Sequence, residues 1–359
     1  AFRYVPERDA VFADVYAVNP DGTKGALMST YDDQGANPAI ILNRLKDILD
    51  SHIVVGYKDK ETGDMTGYID GGTTQYALTK GGSALKVTDG GDRMKLSGGG
   101  DIEEQSPPAG IMTNPGNGTL NRYEADNGRT WFVDKVLHTP VQSVYSVLSS
   151  PVHADYAAFF ELCQGDTRVF EFFRDDKEVN SNIIFTSKKV GSSSGLGMVV
   201  NSFNNFRYTV FVPEKAALDA AFLEDDKLFT WDEIAADDDY DSKKAKTLYL
   251  LKFLKYHFMD NSIFIDGRIY AGEKAEKYET AARNPSGKFH KLTLSSSGNN
   301  LLIEGEKAGN TAEVITTGSL YNLTARDYIV NSADYTAAKQ IVASSHAVIH
   351  LINKALKFE

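Results

Sequence analysis

The sequence predicts an α+β protein that contains one domain twice. At 359 residues the chain is long for a single hydrophobic core, since domains average roughly 150 residues. Short motifs recur at a nearly constant offset, and in each copy an amphipathic helix precedes segments that alternate apolar and polar residues. With 42% hydrophobic and 24% charged residues, the composition is that of a folded globular protein with enough apolar side chains for sizeable cores.

Four collinear matches define the repeat. Residues 4–10 match 211–217, residues 45–53 match 250–258, residues 84–87 match 291–294, and residues 132–137 match 351–356. The offset is 207 from Pro6 to Pro213, 205 from His52 to His257, and 219 from Lys135 to Lys354. Because unrelated segments would not keep a common order and spacing, we interpret the chain as a tandem repeat.

The two copies differ at their starts. Residues 151–208 precede the strand that ends at Pro213, whereas three residues precede Tyr4. We place the domain boundary at Ser150, after the amphipathic segment 141–148 that we expect to close the first copy. This gives an N-terminally truncated domain over 1–150 and a second domain over 151–359. We expect the first domain to expose apolar surface near its first strand.

Periodicity predicts the elements of the second copy. Alternation over 207–213, ended by Pro213, predicts a strand, and segments 156–164 and 216–222 read as short helices. Over 243–257, apolar residues recur every three or four positions, which predicts an amphipathic helix that ends near His257. Segments 289–294, 300–304 and 347–351 alternate and are separated by Ser, Gly and Asn, as strands joined by turns are.

Three motifs of the second copy together resemble the fasciclin domain. They are residues 208–217, the helix end Leu254-Lys255-Tyr256-His257, and the terminal segment 348–356. The first copy keeps His52 but has Ser51 where the tyrosine is expected. The resemblance implies two wedge-shaped β-sandwich domains with flanking helices and no cofactor. It also implies a non-enzymatic role in adhesion or ligand binding outside the cytoplasm.

Tyr256, His257 and His52 are the candidate binding residues. A histidine at the C-terminal end of a helix can donate a hydrogen bond to the carbonyl groups that end there, which is a structural role. A tyrosine can pack its ring while its hydroxyl meets a partner, which suits either a core edge or an interface. The sequence leaves both interpretations open.

The charge of the chain limits its partners. A formal charge of −11, with no dense group of Lys and Arg, argues against nucleic acid. We expect a surface protein or a glycan as partner. No apolar run approaches the roughly 18 residues of a membrane span, so we expect a membrane only through a lipid anchor upstream. The sequence resembles the bacterial branch of the family, often found on lipoproteins, which implies the cell surface, periplasm or outer membrane.

A hydrolase is the alternative, built from His257 with Asp260 and Asp266. Other motifs favour structural roles. His346 and His350 lie on a strand-like segment about 13 Å apart, too far to share a metal ion. The Gly191–Gly195 segment matches G-x-S-x-G but precedes strand-like residues rather than a helix, so we expect a loop. The acidic segment 237–241 suits a helix N-terminus, and Cys163 suits a buried position.

Two segments fit N-glycosylation acceptors. They are Asn117-Gly118-Thr119 and Asn322-Leu323-Thr324. Only a eukaryotic secretory chain would use them, so they do not decide the function.

Overall fold

The computed structural model describes most of the chain and shows a mixed α+β protein, as predicted. The described residues are 2–19, 24–32, 38–58, 65–66, 69, 75–89, 94–103, 106–119, 121–187, 198–203, 207–265, 276–297, 300–330 and 341–358. We call residues 2–137 the first copy and residues 144–358 the second copy. The predicted division at Ser150 stays a prediction.

The described residues of the first copy form small antiparallel sheets and two α-helices. Its strands are β1 (Phe2–Val5), β2 (Ala10–Val18), β3 (Lys24–Asp32), β4 (Tyr57–Lys58), β5 (Met65–Thr66), β6 (Gln75–Leu78), β7 (Ala84–Thr88), β8 (Lys95–Gly98), β9 (Ala109–Gly110), β10 (Arg122–Ala125) and β11 (Gly128–Trp131). Its helices are α1 (Pro38–Ser51) and α2 (Gly99–Glu103). Strands β6 to β9 form a four-stranded meander whose buried side chains include Leu85, Val87 and Leu96.

The second copy begins with a helical region. Its helices are α3 (Val144–Leu148), α4 (Ala157–Gln164), α5 (Thr167–Phe172), α6 (Lys177–Asn182), α7 (Lys215–Glu224), α8 (Trp231–Ala235) and α9 (Tyr240–Tyr256). A 3-10 helix, Pro151–Tyr156, joins α3 to α4. The predicted helices at 156–164, 216–222 and 243–257 are therefore confirmed as α4, α7 and α9.

The large sheet of the second copy has eight strands in the part of the chain that the structure describes. Its strands in chain order are β14 (Arg207–Pro213), β15 (Phe258–Asp260), β16 (Glu276–Arg283), β17 (Phe289–Ser297), β18 (Asn300–Glu304), β19 (Thr311–Glu313), β20 (Leu323–Val330) and β21 (Ile341–Ile352). A separate hairpin pairs β12 (Phe185–Ser187) with β13 (Met198–Val200). The order in the sheet is β19-β18-β17-β16-β15-β14-β21-β20, with β14 parallel to β21 and the other pairs antiparallel. The strand predicted at 207–213 is confirmed and lies inside the sheet.

Helix α9 packs along this sheet because one of its faces is apolar. Leu251, Leu254 and the following Phe258 are buried, as their spacing predicts. Asp239 caps the helix by accepting a hydrogen bond from the amide of Ser242, and Asp237 pairs with Lys246. The acidic segment therefore starts the helix, where its negative charge is favoured by the helix dipole.

Residues 4–10 do not fold like their match in the second copy. Strand β14 is followed by the ten-residue helix α7, whereas β1 is followed by a single 3-10 turn that ends at Asp9 with a φ of 45°. The next residues, 10–18, are rich in Val, Phe and Tyr, which favour a strand, and they pair antiparallel with β1. The prediction that residues 4–10 are equivalent to residues 211–217 is wrong, because the two strands pair with different partners.

Segment 141–148 does not close the first copy either. Val144, Val147 and Leu148 of α3 are buried in the large core of the second copy, together with Tyr156 and Phe159. The apolar residues of this segment, which predicted an element that closes the first copy, are therefore buried in the core of the second copy instead.

The two copies contact each other through β6, α1 and α2 of the first copy and through β20 and the segment after β15 of the second. Tyr76 stacks on Phe264 with ring centroids 3.9 Å apart. Thr324 donates a 2.6 Å hydrogen bond to the carbonyl of Gly99, and Arg326 pairs with Asp47. None of the helices among the described residues is long and apolar enough to cross a membrane.

Candidate functional site

The tandem repeat is visible in equivalent hydrogen bonds. In the first copy the amide of Met112 donates to the carbonyl of Phe132 at 2.8 Å, and in the second copy Ile315 donates to Leu351 at 2.8 Å. The next bonds also correspond: the amide of Gly110 donates to Asp134 Oδ1, and the amide of Glu313 donates to Asn353 Oδ1, each at 2.9 Å. The sequence match of 132–137 with 351–356 is therefore confirmed contact by contact.

His257 joins the end of α9 to the C-terminal segment. Its Nδ1 lies 3.0 Å from the carbonyl oxygen of Phe253, and its Nε2 accepts a 3.0 Å hydrogen bond from the amide of Leu356. Since Nε2 is the acceptor, Nδ1 carries the proton of a neutral ring. Burial lowers the pKa of His257 to about 4, which keeps this tautomer at neutral pH.

His52 makes the same two contacts in the first copy. Its Nδ1 lies 2.7 Å from the carbonyl oxygen of Ile48, and its Nε2 accepts a 3.0 Å hydrogen bond from the amide of Leu137. Both histidines thus connect a helix end with a segment that is distant in sequence. These contacts correspond to the structural interpretation of the motif.

Tyr256 is also enclosed. Its hydroxyl donates to the carbonyl of Lys291 at 3.2 Å and accepts from the amide of Glu306 at 3.0 Å, and burial raises its pKa to about 12. The equivalent Ser51 bonds within its own helix, to the carbonyl of Ile48. Because Tyr256 and His257 are fully buried, neither side chain has surface for a direct contact with a partner.

Among the described residues, the hydrogen bonds of the His257 ring do not include a carboxylate. Both ring nitrogens of His257 form hydrogen bonds with main-chain groups, and neither bond involves Asp260. Asp266 lies outside the described residues. His290 does pair with Glu306, at 2.6 Å, but its Nε2 is buried and has no hydrogen-bond partner among the described residues.

The remaining motif residues are structural where they are described. Nε2 of His346 lies 3.1 Å from the carbonyl oxygen of Gly81, and Nε2 of His350 lies 2.8 Å from that of Ile263. Both histidines lie on β21, as predicted. Across the described residues no group of three or more His, Cys, Asp and Glu side chains could hold a metal ion.

Two further predictions have different outcomes. Cys163 is buried as expected, and burial raises the pKa of its thiol. The Gly191–Gly195 segment lies outside the described residues.

A group of exposed apolar residues distinguishes the first copy from the second. We define the apolar face as Leu49, Ile53, Phe132 and Val136, whose side chains are between 41% and 62% exposed. Their equivalents at the repeat offsets are Leu254, Phe258, Leu351 and Ala355, which belong to one core and are 7% exposed or less. The hydrogen bond from Leu137 to His52 brings the two segments of the face together.

The second copy covers the same positions with its own chain. In the large sheet, Val210 of β14 is the strand partner of Phe258, and Val212 of β14 is the partner of Leu351. The ring of Phe159, from α4, stacks on Phe258 with centroids 6.2 Å apart. Strand β14 and the helices before it therefore bury what the first copy exposes.

The sequence signal for the apolar face was present but indirect. We expected apolar surface near the first strand, and Phe2 and Tyr4 are indeed exposed there. The larger group lies at the end of α1 and after β11. The repeat match of 45–53 and 132–137 shows that these segments share the apolar pattern of 250–258 and 351–356, but it does not show which copy covers them.

Known proteins resemble the chain in structure rather than in sequence. No protein-family model and no curated protein matches the chain. A solved structure of a FAS1 domain pair from the insect cell adhesion molecule Fasciclin I is similar at 14% sequence identity and a TM-score of 0.30, over 88% of this chain and 80% of that chain. That structure is a pair of FAS1 domains, the domain type that the sequence motifs of this chain resemble.

Proposed function

We propose that the chain is a non-enzymatic binding or adhesion protein that recognises a surface protein through the apolar face of its first copy. The exposure of Leu49, Ile53, Phe132 and Val136, at positions that the second copy buries, supports this proposal. Exposing apolar side chains to water is unfavourable, and apolar side chains that are exposed where the repeat partner buries them can form a surface that meets a partner.

The chemistry of this face favours a protein over a glycan. Three of its four side chains are aliphatic, and they offer no hydrogen bonds to sugar hydroxyls. Burying such side chains against apolar groups of another protein gives a favourable free energy, at about 25 cal/mol per Å². We therefore propose a protein as the partner, and glycan binding is the alternative outcome of the test.

We also propose an extracytoplasmic location, at the cell surface or in the periplasm, with an upstream lipid anchor holding the chain at the outer membrane. The resemblance to bacterial fasciclin-like lipoproteins supports it. Protease treatment of cells that produce the chain measures this. Digestion in intact cells supports the cell surface, digestion only after the outer membrane is permeabilised supports the periplasm, and protection until the cytoplasmic membrane is lysed contradicts both.

The function is tested with purified chain and a double variant of the face, Leu49→Ser/Ile53→Ser. Leu223→Ser serves as the matched control, because Leu223 is an exposed leucine of α7 in the second copy. We expect capture of cell-surface proteins by the chain to fall at least tenfold in the double variant and to be unchanged in the control.

The outcome that contradicts the proposal is equally clear. Binding on a glycan array that is the same for the chain and for the double variant would show a glycan-binding protein with its site elsewhere. Thermal unfolding of each variant verifies folding, and we expect little change since both substituted side chains are exposed.

A further inference from the structure

Three basic side chains lie in a row across the large sheet, on the face that meets the first copy. In the register of the sheet, Arg207 of β14 is the partner of His346 of β21, and His346 is the partner of Arg326 of β20. Residues directly opposite one another in neighbouring strands point to the same face, so the three side chains are neighbours. We infer that this row binds a hydrogen phosphate ion at the junction of the two copies.

The row carries a positive charge that its described neighbours do not balance. Arg326 is paired with Asp47 of the first copy through two hydrogen bonds, at 2.7 and 2.8 Å. Arg207 is half-buried, and its guanidinium has no hydrogen bond or ion pair with the described part of the chain. Strands lie about 4.8 Å apart, so the backbones of the two arginines are about 10 Å apart, with His346 between them. The charge of the two guanidinium groups therefore favours a second anion beside Asp47.

The histidine between the arginines has a buried nitrogen without a partner. His346 is 6% exposed, and no described residue forms a hydrogen bond with its Nδ1. Buried polar atoms are nearly always hydrogen-bonded, so this nitrogen is an independent indication of an added polar group. Burial lowers the pKa of the ring to about 3, and the charges of Arg326 and Arg207 act in the same direction. Both guanidinium groups are therefore close enough to the ring to influence it.

The first copy covers the other edge of the ring. Nε2 of His346 lies 3.1 Å from the carbonyl oxygen of Gly81, and a Cβ at Gly82 would lie 3.2 Å from Cδ2 of the ring. In an imidazole, Nδ1 and Cε1 form the edge opposite Cδ2, so Nδ1 faces away from the Gly81–Gly82 turn. A ligand bound at Nδ1 therefore leaves the contact between the two copies in place.

The tautomer of His346 specifies which anion fits. A carbonyl oxygen can only accept a hydrogen bond, so Nε2 donates to Gly81 and carries the proton of the neutral ring. Nδ1 is then an acceptor, and its partner must offer a hydrogen. The guanidinium groups need the reverse, namely oxygens that accept. Hydrogen phosphate meets both requirements, because it keeps a hydroxyl beside its charged oxygens at neutral pH, whereas sulfate has no hydrogen to donate.

The same chemistry distinguishes the free ion from a phosphate ester. A phosphate group on an esterified hydroxyl has a second pKa of about 6, so at neutral pH most of it has lost its last hydrogen. Such a group can pair with the arginines but has no hydrogen for Nδ1 of His346. Inorganic phosphate is therefore the better ligand, and a phosphate ester is the comparison in the experiment.

Equilibrium dialysis of the intact chain against radiolabelled inorganic phosphate tests this site directly. At neutral pH and constant ionic strength, we expect saturable binding of one phosphate per chain. Unlabelled sulfate and glycerol phosphate should each compete at least tenfold more weakly than unlabelled phosphate. Arg207→Gln should weaken phosphate binding at least tenfold. The matched control is Arg174→Gln, at an exposed arginine of the second copy, and it should leave binding unchanged.

Further variants separate the contributions. His346→Leu removes Nδ1, so the preference for phosphate over sulfate should disappear, and thermal unfolding verifies that each variant is folded. Leu49→Ser/Ile53→Ser should bind phosphate as the unchanged chain does, which separates this site from the proposed function.

Three results would overturn the inference. The first is the absence of saturable phosphate binding by the intact chain. The second is equal binding by Arg207→Gln, which would show an adventitious ion only. The third is equal competition by sulfate, which would exclude a hydrogen bond from the phosphate hydroxyl to Nδ1 of His346.

Discussion

Arg326 of β20 holds Asp47 of α1 through both of its terminal nitrogens, at 2.8 and 2.7 Å, and so joins two residues that are 279 positions apart. The arginine side chain is 6% exposed and that of the aspartate is 22% exposed. A third bond runs from Arg326 Nε to Ser344 Oγ at 2.7 Å. The pair is bidentate and largely desolvated, which distinguishes it from the exposed ion pairs of the surface.

Removing one partner of this pair should cost more than removing both. Asp47→Ala leaves the Arg326 guanidinium buried without its carboxylate, and we expect it to lower the free energy of unfolding by about 2 to 4 kcal/mol. Arg326→Met together with Asp47→Ala removes the unpaired charge and should cost less than the sum of the single changes. Urea unfolding of the four proteins of the cycle measures this coupling, and additive single effects would contradict it.

His257→Ala should destabilise the chain because it removes two buried hydrogen bonds. The carbonyl of Phe253 and the amide of Leu356 are left unpaired, at a cost of about 1 to 3 kcal/mol. His52→Ala removes the equivalent bonds from a half-buried position, so its cost should be smaller. Thermal unfolding of both variants measures the difference. Loss of partner binding by His257→Ala with an unchanged melting temperature would show that the structural role is wrong.

The stability of the chain should fall as the pH drops from about 6.5 towards 4. Burial lowers the pKa of His257 to about 4, of His350 to about 4 and of His346 to about 3. Between these values and the ordinary histidine pKa of 6.5, the unfolded chain binds protons that the folded chain does not. The neutral rings therefore contribute their full stability above pH 6.5. Below pH 6.5 the free energy of unfolding falls by about 1.4 kcal/mol per pH unit for each proton that the unfolded chain binds and the folded chain does not.

Urea unfolding at pH 7.5 and pH 5 measures this dependence, and His346→Gln is its control. His346 Nδ1 has no hydrogen-bond partner among the described residues, so glutamine can keep the contact to Gly81 and remove one titrating ring. We expect a smaller loss of stability in this variant. Working above pH 4.5 keeps Asp237 ionised in both states, since its lowered pKa of about 2 affects stability only below its ordinary value of 3.8. Equal stability at the two pH values would contradict the prediction.

The two glycosylation sequences should behave differently in a eukaryotic secretory host. Asn117 is exposed, whereas Asn322 is 6% exposed and its side-chain amide donates to the carbonyl of Ile265 at 3.0 Å. A glycan cannot be accommodated at Asn322 in the folded chain. We expect the secreted, folded protein to carry glycan at Asn117 and none at Asn322, as read from the masses of its peptides; a glycan at Asn322 in folded protein would show that this region opens.

Local patterns predicted many of the elements of the second copy. The alternation of 207–213 gave β14 with its bounds, and the spacing of Leu251, Leu254 and Phe258 gave the buried side of α9. The match of 132–137 with 351–356 was confirmed by equivalent hydrogen bonds. These features depend on periodicities of two or 3.6 residues and on short motifs, which can be recognised within a short stretch of sequence.

Long-range packing decided the features that local patterns left open. Tyr4-Val5-Pro6 and Phe211-Val212-Pro213 are alike in sequence, yet β1 pairs with the strand that follows it and β14 pairs with β15 and β21. Which strand pairs with which depends on the partners available in the folded chain. Sequence similarity over three residues cannot specify them.

By itself, the sequence determined the α+β class, the repeat and the position of a histidine at the end of a helix in each copy. Only the tertiary structure decided that both histidines bond main-chain groups on either side, and that Leu49 is exposed where Leu254 is buried. Both leucines lie at the same place in the same helical pattern. Their exposure differs because burial is set by the segments that pack over a residue, and the strand and helices that cover Leu254 have no counterpart over Leu49 among the described residues.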